Sequence, residues 1–234
     1  MEVRVGVART NKYAMSECGD SVETVERPRG GVSVVLADGQ GSGKPAKLTS
    51  SLVVNKTVAL IADGARDGAV ARSVHDFLYN VKDGKVSSTL TIMSIDLDTQ
   101  TAVFCRNSNC PVLVKQDYGI DAYDQTIASI GVHKRMKPLV YEMPLNVGMI
   151  LLSYSDGIQA AGRKRGKEFD LQYIYRVLDE NKAEDVNFIA QTVLEYALEL
   201  DDYRPGDDMT VAVVGLSDQE AGHLIRRLNV VYPY

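Results

Sequence analysis

Near the N-terminus, Val3, Val5 and Val7 alternate with Arg4 and Gly6, the period-two pattern of a half-buried β-strand. Residues 10–17 are polar and loop-like. Residues 21–26 alternate weakly, and Pro28-Arg29-Gly30-Gly31 is a turn signal. Residues 32–37 (VSVVLA) are mostly apolar and rich in β-branched side chains. They predict a strand buried on both faces that ends at Asp38-Gly39. Residues 44–61 and 67–79 read as helices, parted by Asp63-Gly64 and Arg66-Asp67-Gly68.

Alternation then returns over residues 89–96 and 101–106, with Asp98-Thr99-Gln100 between them as a hairpin turn, and residues 111–115 form another short strand. Residues 118–138 carry no clear period. Residues 149–153 (MILLS) are a compact apolar run that leads to Asp156-Gly157, followed by a basic loop over residues 163–167. Residues 171–178 and 186–200 read as helices; in the second, Ile189, Val193, Tyr196, Ala197 and Leu200 recur at helical spacing. Residues 209–216 (MTVAVVGL) predict a last core strand, residues 217–228 a short terminal helix, and residues 229–234 a tail in which Tyr232-Pro233-Tyr234 either caps the sheet or joins a dimer. Strands dominate both ends and helix pairs follow each half. That order predicts an α+β architecture, sheet packed on sheet with helices outside, and lacks regular βαβ alternation. No repeat or linker interrupts it, so residues 1–234 are expected to form one domain.

Composition narrows the function. A net charge of −5 argues against nucleic acid as a bulk partner, since phosphate-backbone binding rests on Lys and Arg. No stretch has the roughly 20 apolar residues of a membrane span, and the start lacks a signal-peptide pattern. The expectation is a cytoplasmic protein with neither membrane nor nucleic acid as partner. Cys18, Cys105 and Cys110 are too few for a disulfide framework, and the three histidines are scattered, so no zinc spacing arises.

Three acidic sites share one local grammar. Asp38-Gly39 and Asp156-Gly157 each close an apolar strand, and Asp207-Asp208 opens a third. Asp20, in Cys18-Gly19-Asp20-Ser21, lies upstream of the first. A lone Asp-Gly is ordinarily a turn, as expected for Asp63-Gly64 and Asp83-Gly84. Carboxylates at the ends of central strands, however, can converge on one point and would repel one another without a cation. Oxygen ligands with no nearby His or Cys favour hard divalent ions. The loop from Asp38 to Gly43 is glycine-rich, but Pro45 follows Gly43-Lys44, so a P-loop is not formed.

These residues resemble a known family. Gly19-Asp20-Ser21, then Ala37-Asp38-Gly39-Gln40-Gly41-Ser42-Gly43 with Ala46, Ser153-Tyr154-Ser155-Asp156-Gly157, and Gly206-Asp207-Asp208-Met209-Thr210-Val211 follow in order the motifs of the type-2C superfamily of metal-dependent protein phosphatases, in the bacterial SpoIIE/RsbX-like branch. The likeness runs from about residue 4 to residue 216, which leaves 217–234 as a C-terminal extension. It implies a four-layer αββα sandwich of two antiparallel sheets flanked by helices, with two divalent cations, Mn²⁺ or Mg²⁺, at one edge. By the same resemblance Asp38 bridges both ions and the Gly39 carbonyl binds the second. Asp156 and Asp207 complete the shell of the first, and Asp20 serves the second directly or through water. Asp38, Asp156 and Asp207 are the implied catalytic set. Asp208 stands where the family often has Asn and is left out of it.

The implied activity is hydrolysis of phosphoserine or phosphothreonine on a regulatory protein by a metal-activated water, as a bacterial signalling or stress-response switch. The alternative is the same fold kept as a catalytically weak regulatory module. This sequence departs from the family in Gly19, where animal-type members carry Glu, and in Gln40, where the branch more often has Met or Leu. Arg9 and Lys12 lie where many members place a phosphate-gripping arginine, without a motif to match either. The run Arg163-Lys164-Arg165-Gly166-Lys167 reads either as a solvated surface or as a docking loop for an acidic or phosphorylated partner.

Overall fold

The structure, a computed structural model, describes residues 1–218, 226–227 and 229–231. Among these residues, ten strands and five α-helices follow in the order β1 (Glu2–Thr10), β2 (Asp20–Glu26), β3 (Gly31–Asp38), α1 (Gly43–Ala62), α2 (Asp67–Val81), β4 (Leu90–Asp96), β5 (Thr101–Asn107), β6 (Val112–Gln116), β7 (Gly119–Tyr123), β8 (Leu139–Pro144), β9 (Ile150–Tyr154), α3 (Asp156–Ala160), α4 (Leu171–Glu180), α5 (Val186–Leu200) and β10 (Met209–Ser217). Short 3₁₀ turns stand at Arg163–Arg165 and Ala183–Asp185. Among the described residues no helix is long and apolar enough to cross a membrane.

The strands form two antiparallel five-stranded sheets, ordered β1-β10-β9-β6-β7 and β2-β3-β4-β5-β8. Each sheet buries both faces at its centre, which is why β3, β9 and β10 read as nearly unbroken apolar runs. One core lies between the sheets, where Val34, Met93 and Phe104 meet Val114, Leu151 and Val214. A second core sets Val35, Ile92 and Cys105 against Val53 and Ile61 of α1 and Val74 and Leu78 of α2. In the third, Leu113, Leu152 and Val213 pack on Ile174 of α4 and on Ile189 and Val193 of α5. Three cores separate four layers, so the expected αββα sandwich is what the chain builds.

Local differences have physical causes. The stretch without a clear period, residues 118–138, holds β7, and β8 follows it. Both are sheet-edge strands, largely half-exposed or alternately exposed, so neither shows the apolar run of a central strand. Helix α3 has five residues, too few to display a period. Ser217, read as the start of a terminal helix, ends β10 instead. Most of the remainder of that predicted helix, and Tyr232-Pro233-Tyr234, lie outside the described residues.

Two polar arrangements fix the frame. Arg27 lies between Asp67 (3.2 Å) at the start of α2 and Asp96 (3.1 Å) at the end of β4, and it also donates to Ser33 and Ser94. Opposite charges on both sides satisfy a guanidinium that burial alone would penalise. Lys115 donates to the carbonyls of Leu178, Asp179 and Asn181, a cation on the unpaired C-terminal carbonyls of α4.

Candidate functional site

The β-sheet registers bring the aspartates together. In β2 and β3, Asp20 stands directly opposite Asp38. In the other sheet, Tyr154 pairs with Val211, so Asp156 just beyond β9 and Asp207 just before β10 leave the same edge. The two edges face one another. Asp20, Asp38, Gly39, Asp156 and Asp207, the five ligands expected from the resemblance, all line one cavity of about 300 Å³. Asp208 joins them, and Gln40, Gly41, Ser87, Ser88, Thr89 and Ser129 complete the lining.

Each aspartate is held by its surroundings. The Asp38 N–H donates to Thr89 Oγ1 (3.0 Å), and its carbonyl accepts from Ser88 Oγ (2.7 Å) and the Thr89 N–H (2.9 Å). Asp20 Oδ2 accepts from Thr210 Oγ1 (2.6 Å), a bond that ties one sheet to the other. Asp156 opens α3, and Ser155 just before it accepts from the Thr210 N–H (2.9 Å). Asp208 has a different role. Its carboxylate accepts from the Lys12 N–H (2.9 Å) and the Gly19 N–H (2.8 Å), so both oxygens are engaged in closing the β1–β2 connection over the site.

The glycines after the two strand-end aspartates are required by close backbone approach. A Cβ on Gly39 would lie 2.1 Å from the Ala46 carbonyl oxygen, and one on Gly157 would lie 2.0 Å from the Asp208 carbonyl oxygen. Only a residue without a side chain lets α1 and the β10 entry press this near.

The electrostatics are those of a site short of positive charge. Burial, reinforced by the carboxylates of Asp20, Asp156, Asp207 and Asp208, pushes the Asp38 carboxyl up to about 9. Burial likewise raises Asp20 to about 6, against the opposing hydrogen bond from Thr210. Asp156 is raised by burial and by Asp207. Lys12 Nζ lies 3.9 Å from Asp207 and places one ammonium at the rim. Among the described residues no three His, Cys, Asp or Glu side chains already stand as a ligand set around one point. The donors nonetheless suit hard divalent ions, which accept carboxylate and carbonyl oxygens and would offset both the burial and the carboxylate repulsion that raise Asp38 and Asp20.

The cysteines offer no competing chemistry. All three are buried, and burial pushes each thiol up to about 12. Asp63-Gly64 and Asp83-Gly84 are turns, with positive φ at Gly64, Asp83 and Gly84.

The basic run Arg163–Lys167 is mostly engaged within the chain. Lys164 donates to the Gly206 carbonyl (3.1 Å), Lys167 to Asp202 (2.6 Å) and the Glu199 carbonyl (3.1 Å), and Arg165 lies 3.6 Å from Asp202. These bonds hold it against residues 199–206, the segment that delivers Asp207. Sequence reasoning missed the residue at the centre of that contact, Asp201. It is buried at the end of α5 and its carboxylate accepts from the Gly162 N–H (2.8 Å) and the Gly206 N–H (2.6 Å). One side chain thereby joins the segment after Asp156 to the segment before Asp207. Its partners lie 39 and 5 residues away, and no local pattern marks it.

Comparison with known proteins bears on the family and the fold. The family profile of Stage II sporulation protein E (SpoIIE) matches residues 28–217. Stage II sporulation protein E of Priestia megaterium is 23% identical over 214 residues, 92% of this chain and 36% of that protein. Its counterpart in Bacillus subtilis (strain 168) is 24% identical over 212 residues, 91% of this chain and 25% of that protein. The chain therefore spans about a third of one relative and a quarter of the other. The fold matches a structure of the PP2C phosphatase domain and a fragment of the regulatory domain of Bacillus subtilis SpoIIE with a TM-score of 0.79 at 24% identity, covering 92% of this chain and 64% of the other. It also matches RsbX in complex with magnesium, with a TM-score of 0.69 at 17% identity, covering 92% and 96%. Because the profile takes in β3 through β10 and with them Asp38, Asp156 and Asp207, the chain belongs to the SpoIIE family.

Proposed function

We propose that this chain is one phosphatase domain that hydrolyses phosphoserine or phosphothreonine on a regulatory protein, using two divalent cations, Mn²⁺ or Mg²⁺. The observation that carries the reading is the register that sets Asp20 against Asp38 in one sheet and lines the same cavity with Asp156 and Asp207 from the other. Asp38 would hold both ions, Asp156 and Asp207 the first, and Asp20 and the Gly39 carbonyl the second. Bound there, the cations supply a water of lowered pKa and positive charge toward the phosphoryl oxygens.

The chain's own residues supply position. Thr210 fixes the Asp20 carboxylate, Ser88 and Thr89 fix the backbone of Asp38, and Asp208 holds the β1–β2 connection so that Lys12 reaches the rim. Kinship with sporulation proteins supports a regulatory role in bacterial signalling, and the net charge of −5 supports a partner other than nucleic acid.

The test is hydrolysis of p-nitrophenyl phosphate by the full chain. Activity is expected with Mn²⁺ or Mg²⁺, is lost in EDTA, and is unchanged by iodoacetamide, because the thiols are buried and protonated. Full activity in EDTA refutes the metal site. No turnover under any metal leaves the regulatory module as the function.

A further inference from the structure

Beside the acidic cavity lies a second depression of about 640 Å³ with the opposite charge. The two share Gln40 and Gly41 as a common wall. That wall is braced by Gln40 Oε1, which accepts from the Ser87 N–H (2.9 Å) and Ser87 Oγ (3.2 Å). The groove is also lined by Lys44 at the start of α1 and by Lys82 and Lys85 in the connection from α2 to β4. Among the described residues neither Lys44 nor Lys82 has a carboxylate within ion-pair distance, and Lys85 meets only Asp83, at 4.0 Å, with both side chains more than three-quarters exposed. Leu48 and Val86 line the same groove with apolar surface, and Leu48 is 60% exposed. In a chain of net charge −5, three cations around an exposed leucine beside the acidic cavity are a local inversion.

We propose that this groove docks an acidic segment of the phosphoprotein substrate next to its phosphoserine, with carboxylates against Lys44, Lys82 and Lys85 and one apolar side chain on Leu48. The inference rests on the phosphatase reading above and adds to it where selectivity resides. Cations bound in the aspartate cavity would face the phosphoryl group, so carboxylates flanking the phosphoserine find their complement in the lysines of the adjoining groove. The basic run Arg163–Lys167 does not fill this role, since three of its side chains are tied to residues 199–206.

Two synthetic phosphoserine peptides of equal length test it, one with glutamates and a leucine beside the phosphoserine, the other with lysines in place of the glutamates. With Mn²⁺ and the full chain, the acidic peptide is expected to show about tenfold higher kcat/KM at low salt, the sum of three exposed charge pairs, and the preference should fade as salt rises. The K44S/K82S/K85S variant should lose about that tenfold on the acidic peptide while its kcat/KM for p-nitrophenyl phosphate and its melting temperature stay unchanged. K44E/K82E/K85E should invert the preference. Equal rates on both peptides, or an equal loss on p-nitrophenyl phosphate, overturn the docking proposal. So does a wild-type dimer in sedimentation that K44S/K82S/K85S dissolves, because the groove then receives a second copy of the chain. If wild type hydrolyses neither peptide nor p-nitrophenyl phosphate, the phosphatase reading falls and the docking proposal falls with it.

Discussion

Asp38→Asn is expected to cut turnover of p-nitrophenyl phosphate by more than about a hundredfold and, at pH 8, to raise the melting temperature of the metal-free protein. The first effect follows if Asp38 spans both ions, because an amide has one acceptor oxygen and no charge. The second follows from its surroundings. Burial and four neighbouring carboxylates push Asp38 up to about 9, far above the roughly 3.9 of an unfolded chain. A carboxyl raised on folding binds more protons folded than unfolded. Its contribution to stability is therefore fully present below about pH 4 and is lost as pH rises towards about 9. Metal-free wild type should melt progressively lower across that window, and the variant should show a flatter profile. Each kcal/mol of repulsion relieved is worth roughly 2–4 °C in a domain of this size. A variant that keeps near-normal kcat sinks the bridging role, and an unchanged pH slope sinks the electrostatic account.

Asp201→Ala is the second large effect. Removing the carboxylate strands the N–H groups of Gly162 and Gly206, and an unsatisfied buried donor costs about 1–3 kcal/mol. We expect a stability loss of about 3 kcal/mol by urea unfolding. The Mn²⁺ concentration for half-maximal activity should also rise by about tenfold, since the segments after Asp156 and before Asp207 are no longer joined. Turnover of p-nitrophenyl phosphate and of a phosphopeptide should fall in proportion, unlike the groove variants. Asp201→Asn keeps one acceptor and should recover part of both losses. A destabilised Asp201→Ala with unaltered Mn²⁺ dependence would reduce the residue to a structural cap.

The central strands were legible because both of their faces are covered. Residues 32–37, 149–153 and 209–216 are predominantly apolar, and an aspartate beside each had to lie at an edge. The edge strands β7 and β8 were not, because exposed positions interrupt them and their pairing is set by β6 and β5. The same divide runs through the site. Asp20, Asp38, Asp156 and Asp207 sit beside glycines or a second aspartate at strand ends, a pattern visible in one dimension. Asp201 and Thr210 act through partners up to 190 residues away. Asp201 reads as the charged exit of a helix, and Thr210 as one more β-branched strand residue. The basic run showed the opposite error. Its charges were plain, but Asp202 and Gly206, which receive them, come more than thirty residues later.

Helix α5 joins these observations. It is anchored along β1 and β10 by Ile189, Ala190, Val193 and Ala197, and its last turn delivers Asp201 to the junction between the two aspartate segments. Its 15 residues therefore act as a ruler of about 22 Å. Substitution on the outer side, where Phe188 is 60% exposed, leaves that length alone. A single inserted residue does not, because it advances the helix by about 1.5 Å and turns its end by about 100°. Asp201 would then point away from Gly162 and Gly206 while the sheet stayed intact. The exposed side of this helix thus tolerates substitution, whereas its residue count is fixed by the junction that Asp201 makes at its end.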